Sequence, residues 1–165
     1  MTSQQSSHPT YVQSLGAIGR YLDQHGYHSL VLCELGDGFV VRAIRGENLP
    51  EAIPFPMTDM FNLIRLANER TSRTKPLAPT PQDPLASFVR RVVGGYYEFL
   101  SALGQQCDQT DAASLMVMEL ADSVLLSYQK TLTTYDAWDS STYEYLYNEQ
   151  GARKLIMGSA PSLRR

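Results

Sequence analysis

The chain lacks the features that mark membrane proteins, secreted proteins and proteins held together by disulfides. No apolar run approaches the ~20 residues that a membrane helix needs, and residues 1–9 lack the hydrophobic segment of a signal peptide. The two cysteines, Cys33 and Cys107, are too few and too scattered for a disulfide framework or a zinc site. We therefore expect reduced thiols and a cytoplasmic location.

Motifs for catalysis and cofactor binding are also missing. The sequence contains no phosphate-binding loop, no zinc-hydrolase motif and no Gly-x-Ser-x-Gly nucleophile. His25 and His28 come closest to a metal pair, but Gly26 is expected to end a helix between them. We interpret both as surface histidines at a helix C-terminus, and we predict no metal, no cofactor and no enzymatic activity.

Basic residues are scarce in the second half of the chain. Between Asp108 and Glu149 there are eight acidic residues and one basic residue, Lys130. An acidic surface of this kind repels phosphate backbones. We therefore predict no nucleic-acid partner and, because no membrane segment is present, no membrane partner.

What the chain does contain is a repeated segment. Residues 29–42 recur as residues 114–127, with five of fourteen positions identical and six more exchanging one apolar residue for another. Two unrelated amphipathic hairpins with tight turns can share such a pattern, so coincidence is the alternative. A helical pattern opens before each hairpin, at Tyr11 and at Phe88, which favours a true duplication.

The hydrophobic periodicity predicts an α+β fold of two α-β-β-α halves. Some segments have apolar residues at helical spacing, and others have dense β-branched and aromatic residues around tight turns. For the first half we predict a helix, a hairpin, a loop and a second helix, over residues 10–24, 29–45, 50–56 and 57–71. For the second half we predict a long central helix, a hairpin and a last helix, over residues 85–103, 114–129 and 141–156.

A proline-rich segment separates the two halves. The prolines of residues 74–84 cannot occupy a helix interior or a central strand, so we interpret this segment as a linker. The halves are then residues 10–73 and 85–157, with a disordered N-terminus at 1–9 and a frayed tail at 158–165. Because each half alone would bury too little surface, we expect them to pack as a pseudo-twofold pair with antiparallel hairpins inside and helices outside.

Glu34 and Glu119 occupy the same position of the repeat, in segments that are otherwise apolar. The functional interpretation is a pair of pocket carboxylates that face a shared cleft, as general acid and base or as cation ligands. The structural interpretation is that each lies at an exposed strand end or pairs with a nearby arginine. Perturbed carboxylates are common in structural ion pairs, which favours the second interpretation.

Aromatic residues with polar tips accumulate late in the chain. Trp138, Tyr143, Tyr145 and Tyr147 lie among carboxylates, a combination that favours recognition of a protein or a small ligand. The alternative is that they cover the wet edge of a thin core. We take these four residues as the predicted partner-binding set.

The leading hypothesis is a non-enzymatic protein-interaction module with an adaptor, chaperone-like or regulatory function. Its predicted partner is another protein, and a homodimer is also compatible with the sequence. The order of helix, hairpin and helix in a small acidic chain is similar to that of type III secretion chaperones and YbjN-like proteins, and this resemblance implies binding of other proteins. The second hypothesis is a small-molecule sensor or an enzyme, with Glu34 and Glu119 in a pocket between the halves.

Overall fold

A computed structural model describes residues 9–71, 87–130 and 142–158. These residues form an α+β fold with a six-stranded antiparallel sheet and five helices, which confirms the predicted class. The helices are α1 (Tyr11–Gln24), α2 (Met57–Thr71), α3 (Phe88–Val93), α4 (Tyr96–Gln109) and α5 (Glu149–Met157). The strands are β1 (Tyr27–Leu35), β2 (Gly38–Arg45), β3 (Glu51–Pro56), β4 (Ala112–Glu119), β5 (Val124–Lys130) and β6 (Thr142–Tyr147).

The strand order joins the two halves of the sheet at its centre. The order is β3-β2-β1-β4-β5-β6, so β1 and β4 are neighbours and β3 and β6 are the edges. β1 and β4 run antiparallel, with Leu32 opposite Val117 in the middle of the ladder. Their buried side chains, together with those of β2 and β5, form one core with the apolar faces of α1 and α4.

The predicted loop at residues 50–56 is wrong, because residues 51–56 form the edge strand β3. Pro54 and Pro56 suggested a loop, yet proline is compatible with an edge strand whose missing N–H faces away from the sheet. Each half of the sheet therefore has three strands, and the α-β-β-α pattern becomes α-β-β-β-α.

The predicted last helix over residues 141–156 begins too early. Residues 142–147 form β6, and α5 follows with Asn148 as its N-cap, whose side chain accepts a hydrogen bond from the Gly151 N–H at 2.8 Å. The alternation of Thr, Tyr, Glu, Tyr, Leu and Tyr has a period of two residues, typical of a strand. That period outweighs the capping-box spacing of Ser141 and Glu144, which is typical of a helix N-terminus.

The predicted central helix over residues 85–103 is two helices. α3 ends at Val93, and its C-cap Gly94 has a φ of +98°, a left-handed conformation that glycine adopts readily. α4 then begins at Tyr96 and continues beyond the predicted end to Gln109. The linker at 74–84 lies outside the described residues, as do residues 1–8 and 159–165.

α1 and α4 cross with their backbones in contact at two glycines. A Cβ placed on Gly19 would lie 2.7 Å from the carbonyl oxygen of Tyr96, and one placed on Gly104 would lie 2.6 Å from that of Tyr11. Each glycine therefore contacts the first residue of the other helix. No other residue type fits at either position without moving the two helices apart.

We predict that Gly104→Ala destabilises the protein although alanine is the better helix former. Separating the backbones should cost about 1–3 kcal/mol after the helix-propensity gain of roughly 1 kcal/mol is subtracted. Gly151→Ala in α5 is the matched control, because the nearest atom to its added Cβ is 3.4 Å away. Urea unfolding of both variants tests the helix crossing, and equal stabilities would contradict it.

Candidate interaction surface

Each central strand of the sheet contains a β-bulge near its start. The register of β1 against β2 shifts between His28 and Val31, and that of β4 against β5 shifts between Ala113 and Met116. The serines within the two bulges, Ser29 and Ser114, have φ values of +60° and +54°. A bulge interrupts the ladder, so a backbone N–H near it needs another acceptor.

Glu34 and Glu119 provide these acceptors. Oε1 of Glu119 accepts a hydrogen bond from the N–H of Leu30 at 2.9 Å, and Oε1 of Glu34 accepts one from the N–H of Leu115 at 3.1 Å. Each carboxylate therefore binds the bulge of the other central strand. This requirement explains why a glutamate recurs in two otherwise apolar strands.

A tyrosine hydroxyl also donates to each of these carboxylates. The donors are Tyr11 to Glu34 at 2.7 Å and Tyr96 to Glu119 at 2.5 Å, and Glu119 Oε2 accepts a third bond from the Val89 N–H at 2.8 Å. Burial, reinforced by the neighbouring carboxylate, raises the pKa of both tyrosines well above the usual value. Both hydroxyls are therefore protonated donors at neutral pH.

The two carboxylates lie toward opposite ends of the β1–β4 ladder. Both are two residues from its central pair, on opposite sides, so roughly 13 Å of strand separates them. Two open grooves on the described surface are lined by other residues: one by Pro54 and Leu63 beside α2, and one by Gly16 and Tyr97 beside α1. The shared-pocket hypothesis stays a prediction, and the hydrogen bonds favour a structural role.

Two aspartates that were not identified from the sequence cap the crossing helices. Asp23, near the end of α1, accepts the first two N–H groups of α4 at 2.9 and 3.0 Å. Asp108, near the end of α4, accepts the first two N–H groups of α1 at the same distances. A carboxylate at a helix N-terminus satisfies free N–H groups and the helix dipole together. Asp23 and Asp108 are 85 residues apart, as are the two hairpins, and this equal spacing is the sequence signal that relates the two aspartates.

α1 ends before Gly26, as predicted, and His25 is its C-cap, but His28 lies in β1 and not at a helix C-terminus. His25 Nδ1 lies 2.9 Å from the carbonyl oxygen of Tyr21, whereas His28 Nε2 lies 3.0 Å from that of Gly46. Within residues 9–71, 87–130 and 142–158, no group of three or more His, Cys, Asp or Glu residues could hold a metal ion. Burial raises the pKa of the Cys107 thiol to about 12.

The predicted partner-binding residues divide into three groups. Tyr143 and Tyr145 are 37% and 43% exposed on β6, and their rings stack on the buried ring of Tyr128 at 5.6 and 6.0 Å. Tyr147 is half-buried and packs edge-on against Phe99, with ring centroids 6.4 Å apart. Trp138 lies outside the described residues. Two of the four residues are therefore seen to be accessible.

The sheet face opposite the helices is apolar, and this surface was not anticipated. Successive residues of a strand point to opposite faces, and the buried residues of the four central strands alternate with partly exposed ones. We call the partly exposed set the outer face; its apolar members are Val31, Cys33, Val40, Met116, Met118 and Leu125. Exposed leucines extend it at Leu35, Leu120 and Leu146.

Both alternating sets of β1 are apolar, a pattern that is typical of a strand covered on both faces. Among the described residues, the helices contact one another in one layer and share the core on one side of the sheet only. No described helix is both long enough and apolar enough to cross a membrane. In the described part of the chain, the outer face therefore has no covering layer of helices.

Comparisons with known proteins supply no function for this arrangement. Comparison with protein-family models, with curated protein sequences and with solved structures gives no match. The similarity of element order to type III secretion chaperones therefore stays a prediction. Functional inference depends on the geometry of the chain itself.

We predict that Glu119→Ala lowers the free energy of unfolding by about 2–4 kcal/mol, because it leaves two partly buried N–H groups without their acceptor. Glu119→Gln is the control; because it retains one acceptor oxygen, its free energy of unfolding should decrease less. Urea unfolding at pH 7 measures both. Wild-type stability in both variants would contradict the structural role and would favour the pocket hypothesis.

A second prediction concerns alkaline pH. Burial raises the pKa of Tyr11, Tyr96 and Tyr147 above the unfolded value of about 10. The folded state therefore favours the neutral tyrosines; their contribution to stability is complete below about pH 10 and decreases as the pH rises further. We expect part of the tyrosinate absorbance at 295 nm to develop together with the loss of circular dichroism. Complete ionisation before any loss of structure would contradict this.

Proposed function

We propose that the protein is a non-enzymatic protein-interaction module that binds a protein partner on the outer face of its sheet. The observation that carries the proposal is an apolar surface spanning four strands and covered by no described element. Large contiguous apolar patches on folded proteins are typical of interaction sites. Adaptor, chaperone-like and regulatory functions, and a cytoplasmic location, all belong to this proposal.

The chemistry of the outer face suits a protein surface. Met118 lies opposite Val31 and Met116 lies opposite Cys33, one on each side of the central pair of the β1–β4 ladder. Methionine side chains adapt to irregular apolar partners. Arg42 is exposed on one side of this centre and Glu144 on the other. A partner with an apolar centre and flanking charges of opposite sign would be oriented by these two residues. Tyr143, Tyr145, Tyr147 and Trp138 remain a second proposed contact; Tyr143 and Tyr145 are exposed on the helix side of the β6 edge, opposite Tyr128 and Leu126.

We also propose that the chain is an internal duplication about a pseudo-twofold axis. Supporting this are the reciprocal contacts of residues 85 positions apart: the bulge acceptors, the helix caps and the glycines of the helix crossing. Leu32 and Val117, which are also 85 apart, face each other at the centre of the ladder. A duplicated outer face would present the same apolar pattern twice to one partner.

The small-molecule alternative receives less support. Its proposed pocket residues, Glu34 and Glu119, already accept two and three protein hydrogen bonds, respectively. A ligand between them would have to displace bonds that hold the central strands and helices together.

We predict that Met118→Lys weakens binding of a protein partner at least tenfold, since it places a charge at the centre of the apolar contact. The partner would first be identified by cross-linking in a host extract and then purified for calorimetry. Phe61→Lys, which changes an exposed apolar residue of α2, is the matched control and should bind normally. Equal binding by both variants, with folding unchanged, would refute the proposed surface.

A further inference from the structure

The two edges of the sheet differ in their capacity to pair with another strand. Edge strands expose unpaired N–H and C=O groups, which proteins commonly block with proline. β3 contains Pro54 and Pro56, whereas β6, with the sequence Thr-Tyr-Glu-Tyr-Leu-Tyr, contains neither proline nor glycine. Only β6 therefore has a complete set of backbone donors.

Comparison of the two registers shows which β6 groups are free. Pro54 lies opposite Val40, and Leu146 lies opposite Leu125, which is 85 residues after Val40. Proline in an edge strand directs its nitrogen away from the sheet. Leu146 of β6 occupies the position that corresponds to Pro54 of β3, so the N–H of Leu146 also points away from the sheet. The same parity applies to Glu144. In the part of the chain that the structure describes, β6 pairs with β5 alone.

We propose that β6 pairs antiparallel with β6 of a second copy of this chain, forming a closed dimer with one continuous sheet of twelve strands, six from each copy. A second copy is the occupant that fits the edge asymmetry. Self-pairing of one open edge consumes it, and the proline-blocked β3 edge leaves each dimer without a site for further growth. This proposal depends on the edge and is independent of the outer-face proposal.

The residues of β6 select one register for this pairing. Directly opposite residues of an antiparallel pair have their side chains on the same face of the sheet. A twofold axis perpendicular to the sheet must therefore pass midway between the two copies of one residue, which then lie opposite each other. An axis at Glu144 would place two carboxylates together, which is unfavourable. An axis at Leu146 would shorten the overlap, because β6 ends at Tyr147. An axis at Tyr145 avoids both problems.

In the register centred on Tyr145, three tyrosine pairs form on the helix side and two mixed pairs on the outer side. Tyr145 lies opposite its own copy, and Tyr143 lies opposite Tyr147 of the second copy. Cross-strand aromatic pairs stabilise sheets, and Tyr143 and Tyr145 would lose much of their solvent exposure. Glu144 lies opposite Leu146 of the second copy, so a charge introduced at residue 146 acts directly on it.

Opposite charges at residue 146 therefore test the dimer and its register together. By sedimentation equilibrium of the full chain at low salt, we expect a wild-type monomer–dimer equilibrium that Leu146→Lys strengthens and Leu146→Glu weakens. Two cross-strand charge pairs should change the dissociation constant about two- to thirty-fold in either direction. Leu146 is 63% exposed, so both variants should fold, which circular dichroism checks.

Ala52→Lys and Ala52→Glu are the matched controls, because Ala52 is exposed on the outer side of the other edge, at β3. Neither variant should change the dissociation constant of the dimer. A monomeric wild-type protein at high micromolar concentration, or equal effects of both charges at residue 146, would overturn the proposal. Met118→Lys separates it from the outer-face proposal, since that variant should dimerise normally while losing its partner.

Discussion

The antiparallel pairing of β1 with β4 is the interaction on which the rest of the structure depends. It joins two three-stranded sheets into one, and its register brings the bulge of each central strand within reach of the glutamate on the other. The same arrangement places α1 against α4, where glycine contacts backbone and aspartate caps the opposite helix. Neither half supplies its own bulge acceptor, and the first two N–H groups of α1 and of α4 donate to an aspartate of the other half. The halves are therefore structurally dependent on each other, as expected for units too small to bury a core alone.

This interdependence changes the interpretation of the glutamates that recur at the same position of the repeated segment. A carboxylate that recurs in an apolar strand suggests catalysis, but both glutamates accept backbone and tyrosine hydrogen bonds. Buried polar groups in native proteins are normally paired in this way. The centre of the molecule is thus occupied by structural hydrogen bonding. The surfaces with unexplained chemistry are peripheral: the outer face of the sheet and the β6 edge.

The sequence predicted the α+β class, α1 and both hairpins, because strong periodicity and the Gly-Asp-Gly turn at residues 36–38 are local signals, and the second hairpin repeats the pattern of the first. It did not predict β3, where edge prolines resemble a loop, or the break at Gly94, where a helical apolar pattern continues through a left-handed residue. The role of Glu34 depends on a bulge that has no local sequence signature. The helix caps could have been found by aligning Tyr11 with Tyr96 at the 85-residue spacing of the hairpins. Aligning Tyr11 with Phe88 concealed them.

The contacts at the centre and the residues at the edges are under different constraints. The bulge acceptors and the helix-capping aspartates each have a counterpart 85 residues away, and each forms bonds to the other half. The edge strands have no such reciprocal partner, and there the halves differ: β3 carries two prolines, whereas β6 alternates tyrosine with polar and aliphatic residues. An edge without proline is normally a hazard, because it can pair with any exposed strand. Retaining such an edge on one side while blocking the other is consistent with a contact that must form once and then stop. The asymmetry of the edges, which the symmetric centre does not share, therefore supports the proposed pairing of β6 with a second copy.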